Sequence, residues 1–139
     1  MVYCAIDIAK YIVDYCVRKE KPISNLKLQK MLYYIWIEYY NSTKKMLFSD
    51  DMCAWQLGPV VPDVYYEFCS YAGIPITRPF QVSVEAADAN VVNKAIEKYL
   101  PISASRLVDQ THKKGSPWDR IYMNGLGYRD IIPYPLIIS

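Results

Sequence analysis

Four cysteines, at positions 4, 16, 53 and 69, and a single histidine, His112, are the side chains best suited to covalent or metal chemistry. A structural zinc site generally draws ligand pairs two to four residues apart, so that one loop can present both. No pair of these cysteines has that spacing, so no metal and no cofactor is expected. A Cys/His nucleophilic pair through His112 is formally possible, but no local motif supports it. Asp50-Asp51 could face a cation, yet adjacent acids more commonly lie solvated in a turn. "GLGYRD" at 125–130 has the look of a phosphate loop but follows a helix instead of a strand, the wrong context for one. These residues do not assemble a catalytic centre, and the expectation is a protein that is not an enzyme.

The elements that must carry other functions are easier to read. The chain has 139 residues, enough for one domain (1–139) with a core of its own. Hydrophobic residues make up 53% and charged residues 22%, a globular balance and not a disordered one. A net charge of +2 with scattered basic residues opposes a nucleic-acid partner, which would require a basic face to neutralise several phosphates. Asp7, Lys10 and Asp14 interrupt the first apolar residues, against a secretory signal, and no uncharged run is long enough to span a bilayer. The expected setting is therefore cytoplasmic, away from membranes, with reduced and mostly buried thiols. Fourteen tyrosines against three phenylalanines stand out. Tyrosine suits both core edges and contact surfaces, so this enrichment fits either role.

Ala5, Ile6, Ala9, Val13, Cys16 and Val17 recur with helical spacing and predict an amphipathic helix ending near Pro22. A second helix follows Ser24 or Asn25 as N-cap. It is apolar over so much of its circumference that it should be central, with Lys27, Lys30 and Glu38 demanding water. "MCAWQL" reads as a strand or a buried loop, broken by Gly58-Pro59, and Pro62-Asp63 opens the next helix. "IPITRPFQVSVE" reads as extended, a candidate small hairpin that Pro75 and Pro79 restrict to a sheet edge. Helices are then expected from Asn90 to Pro101, over "SASRLVDQTH", and after Ser116-Pro117, with an extended, proline-broken tail. The fold class is mainly α: a single compact domain of about six helices with a small extended or β-hairpin element.

Three stretches occur in order at spacings that match one family: "LKLQKMLYYIWIEYY" (26–40), "AWQLGPVVPDVYYEF" (54–68) and "LVDQTHKKGSPWDRIY" (107–122). Through them the chain resembles the Panacea domain, the antitoxin domain of bacterial and phage toxin–antitoxin pairs, related to SocA-like proteolytic adaptors and phage-associated GepA-like proteins. The matching positions are Leu26, Lys27, Leu28, Gln29 and Lys30; Ala54, Trp55, Gly58, Pro59, Val60, Pro62 and Tyr65; and Thr111, His112, Pro117 and Trp118. Ser116 and the short tail after Tyr122 depart from the pattern. The resemblance implies a non-enzymatic, mainly helical antitoxin that binds and neutralises a cognate protein toxin encoded nearby. The alternatives are an adaptor handing its partner to a ClpXP-type AAA+ protease and, more weakly, a DNA-binding regulator of its own operon.

The rigid "GPVVP" corner has two readings, a packed turn with Trp55 seated on the central helix or a preformed docking surface that loses little freedom on binding. A buried Gln29–His112 hydrogen bond is the expected tie between the second helix and the Thr111-His112 segment. Asp63, Tyr66 and Glu67, on the outer side of the helix that starts at Pro62, form the candidate interface.

Overall fold

The computed structural model describes residues 2–139. Helix α1 (Ala5–Arg18) buries Ala5, Ile8, Ala9, Ile12, Val13 and Cys16, the stripe that its helical spacing dictates. Helix α2 (Asn25–Thr43) starts where the Ser24 hydroxyl accepts from the Lys27 amide, satisfying one of the free donors of the first turn. It packs against α1 and, further along the chain, against α3 (Pro62–Phe68), α4 (Ala86–Tyr99) and α5 (Ala104–Thr111). Being surrounded explains why it is apolar nearly all round.

Strands β1 (Cys53–Trp55) and β2 (Gly58–Val60) form an antiparallel hairpin with Trp55 opposite Gly58 and Gln56-Leu57 as the turn. The tail pairs with the other edge of β1: the Ala54 amide donates to Asp130 O at 2.8 Å and the Arg129 amide to Ala54 O at 2.7 Å. Pro59 lacks an N–H, and an edge strand is where that deficit is tolerated. Helix α6 (Pro117–Tyr122) begins with Ser116 as N-cap and Pro117 in its first turn, as the sequence predicts.

Three expectations are corrected. The hairpin lies at 53–60, while the 74–85 segment has no strand partner among the described residues. Pro75 and Pro79 deprive it of donors, and it is tethered instead by Ile76 N to Ile23 O (2.8 Å) and Phe80 N to Asp14 Oδ1 (3.1 Å). The tail is extended only as far as its pairing with β1. It then turns into a short helix, α7 (Tyr134–Ile137), because Pro135 falls in a first turn, where proline fits. Helix α4 starts at Ala86 after Glu85, four residues ahead of Asn90.

Tyrosines hold α4 in place. Tyr3 and Tyr39 both donate to the Asp88 carboxylate, at 2.6 and 2.8 Å. Tyr11 donates to Asn93 Oδ1 at 2.7 Å, Tyr15 to Glu97, and Tyr99 on α4 to Glu38 on α2 at 2.7 Å. Tyr39 and Tyr99 are buried in the core and Tyr3, Tyr11 and Tyr15 pack at its edge, while each hydroxyl reaches a polar side-chain acceptor, which is why tyrosine and not phenylalanine serves here. One continuous core runs beneath all of these elements. Among the described residues no helix is long and apolar enough to cross a membrane.

Candidate functional site: a polar knot beneath an aromatic cleft

The three signature stretches converge on the hairpin. Lys30, on the inward face of α2, is fully buried and donates through Nζ to Pro59 O at 2.7 Å. The expectation that it faces water is wrong. The hairpin closes over it, and burial without a carboxylate partner pushes its amine down to about 7. Gly58 has φ +118, a region L side chains rarely enter, and a Cβ there would lie 2.7 Å from Thr111 Oγ1 and 2.9 Å from Lys30 Cε. Glycine is thus required twice, by the turn and by the close approach of α2 and α5.

Thr111, at the end of α5, is buried and donates to Val108 O at 2.7 Å. His112 follows it and stacks flat on Trp118, with ring centroids 3.8 Å apart and planes 4° from parallel. Its Nε2 is buried without a hydrogen-bond partner in the structure. Burial first, and the nearby Lys30 charge second, hold His112 below the ordinary histidine range, so the neutral ring is favoured at pH 7. Trp118 is buried and donates Nε1 to Trp55 O at 2.7 Å, clamping α6 to β1.

The expected Gln29–His112 bond does not form. Gln29 accepts from the Val61 amide at 3.0 Å and donates to Asn25 Oδ1 at 3.1 Å, and Asn25 donates in turn to Tyr65 O at 3.1 Å. The glutamine serves the "GPVVP" corner instead, because Pro59 and Pro62 leave the intervening Val61 N–H buried and in need of an acceptor. Leu28 and Ala54 are fully buried, and Lys27 donates Nζ to Leu100 O at 2.6 Å. Pro59 and Val60 are buried in β2, while Pro62 opens α3 and Pro117 opens α6.

Above this knot lies an open cleft of about 420 Å³. Leu26, Val60 and Tyr65 help line it from the core side, with Trp55, Leu57, Tyr66, Tyr128 and Arg129 toward solvent. Trp55 is only half-buried. It meets Tyr65 edge-on at 4.9 Å and Tyr66 at 6.1 Å, and lines the cleft together with Asn25, Leu26 and Gln29 of α2. The Arg129 guanidinium stands 4.9 Å from the Trp55 ring centroid and 5.3 Å from that of Tyr128. Of the three candidate interface residues, all exposed, only Tyr66 lines the cleft; Asp63 and Glu67 sit outside it on α3. The corner is therefore core on one side and cleft wall on the other.

Sequence reasoning missed Tyr128 and Arg129, which belong to the "GLGYRD" turn. In the fold the Gly127 amide donates to Tyr122 O, and a Cβ on Gly127 would collide with Ile121 O. Gly127 thus serves close backbone packing, and Gly125 a turn at φ +101. An aromatic-basic pair beside an exposed Leu126 was the available signal.

Helices arranged about a short hairpin, with a buried polar knot beneath an aromatic cleft, define a small helical domain. The chain belongs to the SocA-like Panacea domain family: the family model "Antitoxin SocA-like, Panacea domain" matches residues 28–119. It is also similar to Antitoxin SocA of Caulobacter vibrioides (strain NA1000 / CB15N), 31% identical over 135 residues, covering 86% of this chain and 70% of that protein. No solved structure matches.

Proposed function

We propose that this protein is an antitoxin that neutralises a cognate protein toxin by direct binding, with the cleft as the contact face. Family membership supports the antitoxin role. The observation that carries the choice of face is the half-exposed Trp55–Tyr65–Tyr66 cluster held on a doubly proline-stiffened corner. Such a surface pairs aromatic anchors with little freedom to lose on association. The signature residues beneath it act by keeping its shape: Lys30, Gly58, Thr111, His112 and Trp118 fix the hairpin on α2, α5 and α6. The role is one of binding and not turnover, in the cytoplasm where a toxin made beside it would be met.

The test is co-expression with the protein encoded by the neighbouring gene. Rescue of growth and co-purification are expected for the wild-type chain. Tyr66→Ala combined with Glu67→Lys should lose neutralisation while the melting temperature stays unchanged. Full neutralisation by that variant would move the interface off this face.

A further inference from the structure

The lining of the cleft carries one formal charge. Arg129 is exposed, and among the described residues no carboxylate lies within ion-pair distance of it. The amides at the cleft floor are already engaged, Asn25 with Tyr65 O and Gln29 with Asn25 and Val61. What remains for an occupant is aromatic and aliphatic wall, the exposed Gln56 amide and a single charged group, the guanidinium held over Trp55 and Tyr128. Arg129 adopts φ +72 and Ala72, across the cleft, φ +52. Left-handed backbone at non-glycine residues is costly and tends to gather at binding sites. The second edge of the hairpin offers no strand-addition site, since Lys30 and Gln29 occupy Pro59 O and the Val61 amide.

From this charge pattern we infer that the cleft takes a short segment of the toxin in which an aromatic or large aliphatic side chain stands next to a carboxylate. The apolar side chain packs on the cleft side of the contacting Trp55 and Tyr66 rings, and the carboxylate meets the Arg129 guanidinium, whose fork can hold it by two N–H···O bonds. The volume suits one or two side chains and not a whole helix. A lysine-bearing segment is repelled, so the site selects by charge as well as by shape. Arg129 and Tyr128 lie outside the 28–119 stretch matched by the family model. The partner's identity as a toxin rests on the antitoxin reading above; the chemistry of the segment does not.

Two experiments separate those dependences. In the first, the full chain is titrated with acetylated, amidated Trp-Asp, Trp-Asn and Trp-Lys dipeptides while the indole N–H resonances are followed by NMR. Trp-Asp should shift the Trp55 signal, bind severalfold tighter than Trp-Asn and tighter still than Trp-Lys, and R129Q should abolish the preference at unchanged melting temperature. Equal binding of all three peptides, or no shift at Trp55, overturns the inference. In the second, R129E and R129K are compared with Tyr66→Ala in the complex with the neighbouring gene's product. R129E should weaken it roughly tenfold or more, R129K much less, and an Asp→Arg or Glu→Arg change in the partner should rescue R129E. If Tyr66→Ala weakens the complex and R129E does not, the cleft stands as the interface and the carboxylate inference falls. If neither does, the cleft is not the toxin-binding face. Concentration-dependent self-association abolished by R129E would instead assign the cleft to a second copy of this chain, and would also overturn the inference.

Discussion

The tyrosines along the α4 seam and those around the cleft are the same residue put to opposite uses. Along the α4 seam, Tyr3, Tyr11, Tyr15, Tyr39 and Tyr99 each reach a side-chain acceptor on a facing element. Around the cleft, Tyr66 and Tyr128 are exposed and keep company with Trp55 and Arg129 instead. The first set has its polar tips satisfied within the fold and stabilises it. The second set turns its hydroxyls to the Arg129 guanidinium and leaves ring faces exposed, where a partner can use them. Tyrosine enrichment alone thus has no single meaning; the neighbours of each hydroxyl decide it.

If that division is right, the largest losses of stability should come from beneath the cleft and the smallest from its rim. Trp118→Ala should cost about 3–5 kcal/mol, seen in urea denaturation, because it empties a packed site and orphans Trp55 O. Trp55→Ala, at a half-exposed ring, should cost roughly 1–2 kcal/mol while weakening the toxin complex much more than stability. Equal destabilisation by both would erase the distinction between support and surface.

Gly58→Ala should also be severe, roughly 3 kcal/mol, since strain at φ +118 adds to the contact with Thr111 and Lys30. Lys30 supplies a sharper signature of the knot. Its amine titrates at about 7 when folded against an ordinary 10.5, so between those values the unfolded chain binds the additional proton. Stability from this group therefore rises with pH across that window and is lowest below it. Lys30→Met should flatten the rise in denaturation midpoint between neutral and alkaline pH; an unchanged slope would mean the amine is hydrated.

On the seam, Tyr39→Phe should cost about 1.5–2 kcal/mol, the loss of a hydrogen bond to a charged acceptor. The Tyr3 hydroxyl, with that of Tyr39 behind it, holds the Asp88 carboxyl below its usual range. A lowered carboxylate contributes stability present above the unfolded value and lost as pH falls through the folded one, so Asp88→Asn should remove part of the acid-side decline in melting temperature. Tyr66→Phe, by contrast, should leave stability within about 0.5 kcal/mol. A loss comparable to that of Tyr39→Phe would show the rim to be part of the scaffold.

Much of the scaffold was legible from local pattern. Helical spacing from Ala5 to Val17, the Ser24 and Ser116 caps and the proline at the start of α6 act within a few residues, and all appear where expected. The hairpin was harder. "MCAWQL" is too short to distinguish strand from loop, and its partner is the Gly58–Val60 segment, whose proline reads as a breaker. The alternation in "FQVSV" pointed to a strand elsewhere, but a strand needs a neighbour and that segment has none among the described residues.

By itself the sequence determined the helix count within one, the central place of α2 and the family motifs, because composition and short-range periodicity carry that information. Only the tertiary structure decided that Lys30 is buried on a carbonyl, that Gln29 serves Val61 and not His112, and that Arg129 closes a cleft against Trp55, some seventy residues away by roughly counted chain. Burial, hydrogen-bond partnership and the use made of each tyrosine depend on what packs opposite. That neighbour is supplied by distant chain, so no local window could contain it.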